Sequence, residues 1–280
     1  MVSEETVARL RAAVPTTLLP ALVRARTRAA WRSESVREDA RAQMRFLLEH
    51  SRPDADLDEV ARAYVAYQAR RGELRWHPEL ITSLRVQGMH WLREARALGR
   101  GVVLNFMHHG YYDGAFASIA RLGVPGHLVA YPYMLEPDAP AWLRQHVKVA
   151  TTHGGTPVSA AVGTDGLTAL LNDGKVVAIA TDVPGRTPLR FAGREVLGSF
   201  GAARLAIGTD SPVVVITSEE DDQGPFIQVH EPLLPAEFAG PEPLLHRMLA
   251  IHEAVVLRWP EATDLPLSRW GSVEDRVAHG

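Results

Sequence analysis

Residues 101–114, GVVLNFMHHGYYDG, decide the fold expected for this chain. The first half is a short apolar run, which is typical of a strand buried on both faces of a parallel sheet. The second half places two histidines, two tyrosines and an aspartate around Gly110, where the strand should give way to a helix. Because ligands bind at the carboxyl ends of strands in open α/β sheets, this segment is also the first candidate for a functional site.

Strand-like and helix-like segments alternate on both sides of this stretch. Such alternation predicts an α/β fold, with a mostly parallel mixed sheet flanked by helices and a helical N-terminal lobe. The predicted strands are 81–88, 101–107, 127–132, 175–182, 211–217 and 224–233. The predicted helices are 89–101, 112–122, 140–148, 158–172, 201–208 and 242–258, and residues 152–156 and 183–193 are predicted loops.

The first part of the chain lacks a clear strand. Residues 1–78 are rich in Ala, Arg, Glu and Leu and predict two or three helices, with Asp54 or Asp56 as an N-cap. We expect this lobe to pack on an α/β core formed by residues 79–280. Residues 14–32 combine apolar residues with arginines, so they predict either a packed amphipathic helix or a peripheral contact with a membrane surface.

Composition excludes several classes of function. The chain has 280 residues, 46% of them hydrophobic, and a net charge of −3, so a phosphate-tracking nucleic-acid surface is not expected. It has no cysteine, which excludes disulfides, thiolate nucleophiles and cysteine-ligated zinc. No secretory signal or long apolar span is visible, so we expect a cytoplasmic protein, with peripheral contact at the inner membrane as the alternative.

His108 and Asp113 are the candidate catalytic pair. On one regular helix these two side chains would point apart, so they can meet only if Gly110 allows a tight bend between them. In that geometry Asp113 would accept a hydrogen bond from His108 and leave the other ring nitrogen as a general base. A metal site completed by His127 and His153 is an alternative, as are histidines that merely cap a helix.

No nucleophile or nucleotide motif accompanies this pair. A G-x-S-x-G elbow, a G-x-G-x-x-G turn and a phosphate-binding loop ending in G-K-[ST] are all missing from the sequence. A histidine base without a protein nucleophile suits direct attack of an acceptor on an activated acyl group. A thioester fits this chemistry, because its thiolate leaves without a strong acid.

GRGVVLNFMHHGYYDGAF resembles the first motif of the lysophospholipid acyltransferase superfamily, H-x4-D/E after an apolar strand. The nearest branch is that of the bacterial lipid A late acyltransferases and the phosphatidylinositol mannoside acyltransferases. Further blocks resemble that branch in the same order, namely VQGMHWLREARALGRG, LTALLNDGKVVAIATD and RFAGREVLGSFGAARLAIGTDSPVVVI. The resemblance covers residues 33–270, but the transmembrane anchor of the lipid A enzymes is not visible.

The resemblance implies a base, His108, with Asp113 as its orienting partner and Gly110 at the turn. Tyr111 and Tyr112 stand where the family usually has Asn-Trp, so substrate binding is expected to differ there, and His109 adds a second imidazole. Further cleft residues and phosphate ligands would be Asp182, Arg186, Arg190 and Arg204. The alternative for Asp182 and Arg186 is a role in forming the turn, and the alternative for Arg204 is a salt bridge at the edge of the core.

The function expected from this resemblance is acyl transfer from acyl-CoA or an acyl carrier protein to a hydroxyl or amine. No permanently bound cofactor is expected, and the acyl thioester would be a co-substrate. The acceptor would be a soluble small molecule of a biosynthetic pathway. The alternatives are an acyl-thioester hydrolase on the same site, a membrane glycolipid or lysophospholipid acyltransferase, and a homologue that binds acyl donors without turnover.

Overall fold

The computed structural model describes residues 3–270, so the last ten residues of the predicted core lie outside the described part of the chain. Four α-helices precede the first strand, where the sequence predicted two or three. They are α1 (Glu4–Ala12), α2 (Leu19–Trp31), α3 (Glu34–Leu48) and α4 (Leu57–Leu74). Asp56 is the N-cap of α4, since its Oδ1 accepts hydrogen bonds from two backbone amides of the first turn.

The remainder forms the predicted α/β fold around a seven-stranded mixed sheet. Its strands are β1 (Arg85–Gln87), β2 (Val102–Phe106), β3 (His127–Ala130), β4 (Thr156–Ser159), β5 (Val176–Ala180), β8 (Val213–Asp221) and β9 (Gly224–Val229), while β6 (Thr187–Phe191) and β7 (Arg194–Gly198) form a separate hairpin. The order in the sheet is β1-β9-β8-β2-β5-β3-β4. Only the β8–β9 pair is antiparallel within this sheet, as expected for two strands joined by a short turn.

Helices cover both faces of this sheet. They are α5 (Met89–Ala97), α6 (Tyr112–Arg121), α7 (Pro132–Leu135), α8 (Ala141–Ala150), α9 (Gly163–Asn172), α10 (Gly201–Thr209), α11 (Pro241–Arg258) and α12 (Pro266–Trp270). Successive residues of β2 enter different cores, Val102 and Leu104 on the side of α5 and α6, and Val103 on the side of α9 to α11. This burial on both faces explains why β2 is apolar throughout rather than alternating.

Two predicted elements differ from the structure. Residues 156–159 form the edge strand β4, although residues 158–172 were predicted to be helical throughout, and the helix α9 begins only at Gly163. Residues 187–198 form the β6–β7 hairpin, although residues 183–193 were predicted to be a loop. The strands of this edge and hairpin are only four or five residues long, so they leave little hydrophobic periodicity in the sequence.

The N-terminal helices contact one another through ionic groups as well as apolar ones. The buried carboxylate of Glu73 on α4 binds Arg11 of α1 and Arg26 of α2. Residues 14–32 therefore form helical structure packed on α4, although many of their side chains remain exposed. Within residues 3–270, none of the helices combines the length and the apolar character needed to cross a bilayer.

Candidate functional site

The site is built at the carboxyl ends of the neighbouring parallel strands β2 and β5. Phe106 of β2 pairs with Ala180 of β5, so the residues that follow each strand, His108 and Asp182, lie side by side. Gly110 turns the chain from β2 into α6 with a φ of 62°. A side chain there would place its Cβ 2.3 Å from Cβ of Ser218, so only glycine fits this turn.

His108 is held by Asp182 and not by Asp113, and the predicted hydrogen bond between His108 and Asp113 is wrong. Nδ1 of His108 lies 2.9 Å from Oδ1 of Asp182, and the backbone amide of His108 donates to Oδ2 over 2.9 Å. Asp182 is fully buried, while the His108 side chain keeps 17% of its surface exposed. The carboxylate therefore fixes both the backbone and the ring of the same residue.

The charges of this pair suit a neutral base beside an ionised carboxylate. Burial lowers the pKa of His108 below its usual value, against the opposing effect of Asp182. Burial alone would raise the pKa of Asp182, but the contacts with His108 and the nearby charge of Arg269 hold it below the usual value. At neutral pH the Nδ1 proton of His108 then points at Asp182, and Nε2 is left as the basic atom.

Asp113 belongs to a different cluster, which consists of residues from three helices. Its Oδ2 accepts a 3.1 Å hydrogen bond from Nε of Arg71 and lies 3.6 Å from Nη2 of Arg75. Its Oδ1 lies 2.9 Å from Nδ1 of His146. Burial would raise the pKa of Asp113, but Arg71, His146 and Arg75 together hold it well below the usual range. Asp113 is thus an ionised, buried anchor for the guanidinium groups of Arg71 and Arg75.

A chain of ion pairs connects the two carboxylates. Arg71 also binds Asp264, with 2.5 Å between Nη1 and Oδ1, and Arg269 binds the other oxygen of Asp264 over 2.5 Å. Nε of Arg269 lies 3.9 Å from Oδ2 of Asp182. The backbone amide of Asp264 donates to the carbonyl of His108 over 2.8 Å. The C-terminal segment therefore supports the residue that carries the base.

His109 faces away from this cluster. Its Nε2 donates to the carbonyl of Trp259 over 2.9 Å, and burial lowers its pKa to about 4. The imidazole of His109 is neutral, and its Nε2 already makes a hydrogen bond, so it is poorly suited to replace His108 as the general base. Tyr111 is likewise buried, in edge contact with Tyr67, and its hydroxyl has no hydrogen-bond partner within residues 3–270.

Tyr112 lies directly against the base. Its ring meets the His108 ring edge-on with 4.7 Å between centroids. Its hydroxyl accepts a 2.5 Å hydrogen bond from Nη2 of Arg71, whose guanidinium also lies over the tyrosine ring. The two adjacent tyrosines of the sequence therefore have different surroundings, one in the core and one at the site.

His108 and Tyr112 line two cavities that differ in polarity. The apolar cavity has a volume of about 190 Å³ and extends along Phe116, Leu128 and Ala150. The polar cavity has a volume of about 340 Å³ and is lined by Arg71, Arg75, Arg269 and His146, with Tyr131, Tyr133 and Trp142 at its exposed side. The base thus stands where a chain-like apolar group and a polar group could meet.

The predicted phosphate ligands lie elsewhere on the surface. The side chains of Arg186, Arg190 and Arg204 are exposed, and none of the three lines either cavity. Arg204 lies over the ring of Phe200 beside a separate, open groove. The arginines that do reach the site were not predicted. In the sequence, Arg71 and Arg75 look like the solvated face of an Arg-rich helix, and Arg269 is a single arginine in the short helix α12.

The metal alternative finds no ligand set in the part of the chain that the structure describes. No group of three His, Asp or Glu side chains in residues 3–270 is arranged to hold an ion. His127 lies in β3, and His153 lies in the turn before β4. Neither residue lines either of the two cavities that His108 lines.

Comparisons with known proteins show a resemblance in structure but none in sequence. No protein-family model matches the chain, and no curated protein sequence matches it. Among solved structures, the chain is similar to the 1-acyl-sn-glycerophosphate (LPA) acyltransferase PlsC from Thermotoga maritima, with 14% sequence identity and a TM-score of 0.43. The match covers 76% of this chain and 86% of that one.

Proposed function

We propose that the protein is an acyltransferase that moves an acyl group from a thioester to a hydroxyl or amine. The observation that carries this proposal is the His108–Asp182 pair at the junction of an apolar and a polar cavity. The apolar cavity suits the acyl chain, and the polar cavity suits the acceptor. The H-x4-D pattern in the sequence supports the same reaction class.

The reaction follows from the free nitrogen of His108. Nε2 removes the proton from the acceptor while the acceptor oxygen or nitrogen attacks the thioester carbonyl carbon. The carbonyl electron pair moves to oxygen and forms a tetrahedral oxyanion. When that intermediate collapses, the C–S bond breaks and the thiolate takes the proton from His108. Asp182 holds the ring and stabilises the imidazolium that forms between these two steps.

The donor that we propose is acyl-CoA or an acyl carrier protein, and the acceptor is a polar small molecule of a biosynthetic pathway. Both donors carry the same thioester on a phosphopantetheine arm, so the apolar cavity would accept either. Three arginines and three tyrosines line the polar cavity, which favours an acceptor rich in hydrogen-bonding groups.

A screen of acyl thioesters against candidate acceptors tests the proposal. Wild-type protein is incubated with each thioester with and without acceptor, and thiol release and acylated product are measured by absorbance and mass spectrometry. We expect acceptor-dependent thiol release, with loss of turnover in His108→Ala at an unchanged circular dichroism spectrum. Equal thiol release without acceptor would make the protein a thioester hydrolase. Full activity in His108→Ala would refute the proposed base.

A further inference from the structure

The backbone amides of residues 108–111, which form the turn that carries the base, are not free to bind the oxyanion. In acyl transfer, the carbonyl oxygen becomes negative and is usually stabilised by nearby N–H or O–H groups. Here each of four successive amides already donates a hydrogen bond of 2.8 to 3.0 Å. The amide of His108 donates to the carboxylate of Asp182, and the amide of Tyr111 donates to the hydroxyl of Ser218. The amides of His109 and Gly110 donate to the carbonyls of Met107 and Ala262. These four amides are therefore committed to holding the turn.

The hydroxyl of Tyr112 is a donor that is not committed. Its oxygen accepts from Arg71, but the structure gives its own proton no acceptor within residues 3–270. The ring lies edge-on against His108, and the side chain lines both cavities, as His108 does. A thioester carbonyl placed for attack beside His108 therefore has this O–H as a neighbour.

Arg71 makes this hydroxyl a stronger donor. When the phenol shares its proton with an anion, negative charge increases on the phenol oxygen. A cation that donates a hydrogen bond to this oxygen stabilises that charge. Arg71 is itself fixed by Asp113 and Asp264. The donor is thus held in place before substrate binds, which is the condition under which a hydrogen bond to a developing charge contributes most.

We infer that Tyr112 is a catalytic residue whose hydroxyl donates a hydrogen bond to the thioester carbonyl oxygen as it becomes negative. No proton is transferred in this step, and the bond is lost again when the carbonyl reforms. Asp113 then acts through Arg71 as a positioning residue for this donor. The inference rests on the proposed acyl transfer.

The matched variants Tyr112→Phe and Tyr67→Phe test it. Both remove the hydroxyl of a buried tyrosine, but Tyr67 packs against Trp259 and lines neither cavity. We expect Tyr112→Phe to lower kcat about 10²- to 10³-fold with little change in the KM of the thioester, as for loss of one oxyanion donor. Tyr67→Phe should keep the wild-type kcat.

Fluorotyrosine at position 112 separates catalysis from packing. It makes the phenol more acidic with almost no change in shape, so a donor role predicts an altered kcat at an unchanged melting temperature, whereas a structural role predicts none. An active wild type whose kcat is insensitive both to Tyr112→Phe and to fluorination would overturn the inference and leave the proposed function intact. An inactive wild type in the thioester screen would refute the proposed function itself.

Discussion

Replacing Asp182 by Asn should invert the tautomer of His108. The carboxylate accepts two 2.9 Å hydrogen bonds from one residue, from the backbone amide and from Nδ1. An asparagine has one oxygen for these two donors. Because the backbone N–H can only donate, the amide oxygen will face it, and the NH₂ group will face Nδ1. The ring proton then moves to Nε2, which can no longer accept a proton from the acceptor.

The expected loss is large and specific to kcat. Inverting the tautomer of a catalytic histidine costs about 10⁴-fold in kcat when the geometry is otherwise kept. The thioester KM should change little, because Asp182 lines neither cavity. Steady-state transfer kinetics measure both constants, and a thermal melt establishes that the variant is folded. A loss below about tenfold in Asp182→Asn, together with a 10³-fold loss in Asp113→Asn, would refute the assignment of Asp182 as the partner.

Three further predictions concern stability and substrate choice. Asp113→Asn should lower the free energy of unfolding by about 3 kcal/mol, measured by urea denaturation, because it leaves Arg71 buried with less compensating charge. Stability should also fall in acid: the pKa values of His109 and His252 are lowered to about 4 and about 3, so the unfolded chain binds more protons below pH 6.5. Each histidine should remove about 2 kcal/mol between pH 7 and pH 5 in denaturant titrations, and a flat profile would contradict the burial argument. Ala150→Leu, in the wall of the apolar cavity, should shift the preferred acyl chain towards shorter lengths by about three carbons, as competition assays would measure; an unchanged preference would exclude this wall from the chain site.

The fold could be predicted from the sequence where periodicity was strong. The run that forms β2 and the amphipathic segment that forms α5 both lie where their patterns indicated. The strand β4 and the β6–β7 hairpin were not predicted, since they are short and partly exposed. Their formation depends on pairing with a neighbouring strand, which a local pattern does not reveal.

The sequence predicted where the candidate site lies, but it did not predict the hydrogen-bond partner of His108. His108 was expected at a strand end, and it lies there. Its partner was expected nearby in sequence, at Asp113, but Asp182 lies closer because β2 and β5 are neighbours in register. A known strand order would have indicated this, since both residues stand two positions beyond a paired residue. The contribution of Arg71 depends on how α4 packs, which the sequence does not specify.

The segment that ends the described chain has a consequence for synthesis. The carbonyl of His108 is held by the amide of Asp264, Gly110 donates to Ala262, and His109 binds Trp259. During translation, His108 is therefore incorporated more than 150 residues before the C-terminal backbone groups that contact its turn. A nascent chain that stops short of residue 259 already contains every strand of the sheet and the His108–Asp182 pair, but it lacks these three contacts to the turn. Full catalytic competence should therefore appear only after residue 264 has been made, later than all the strands of the sheet.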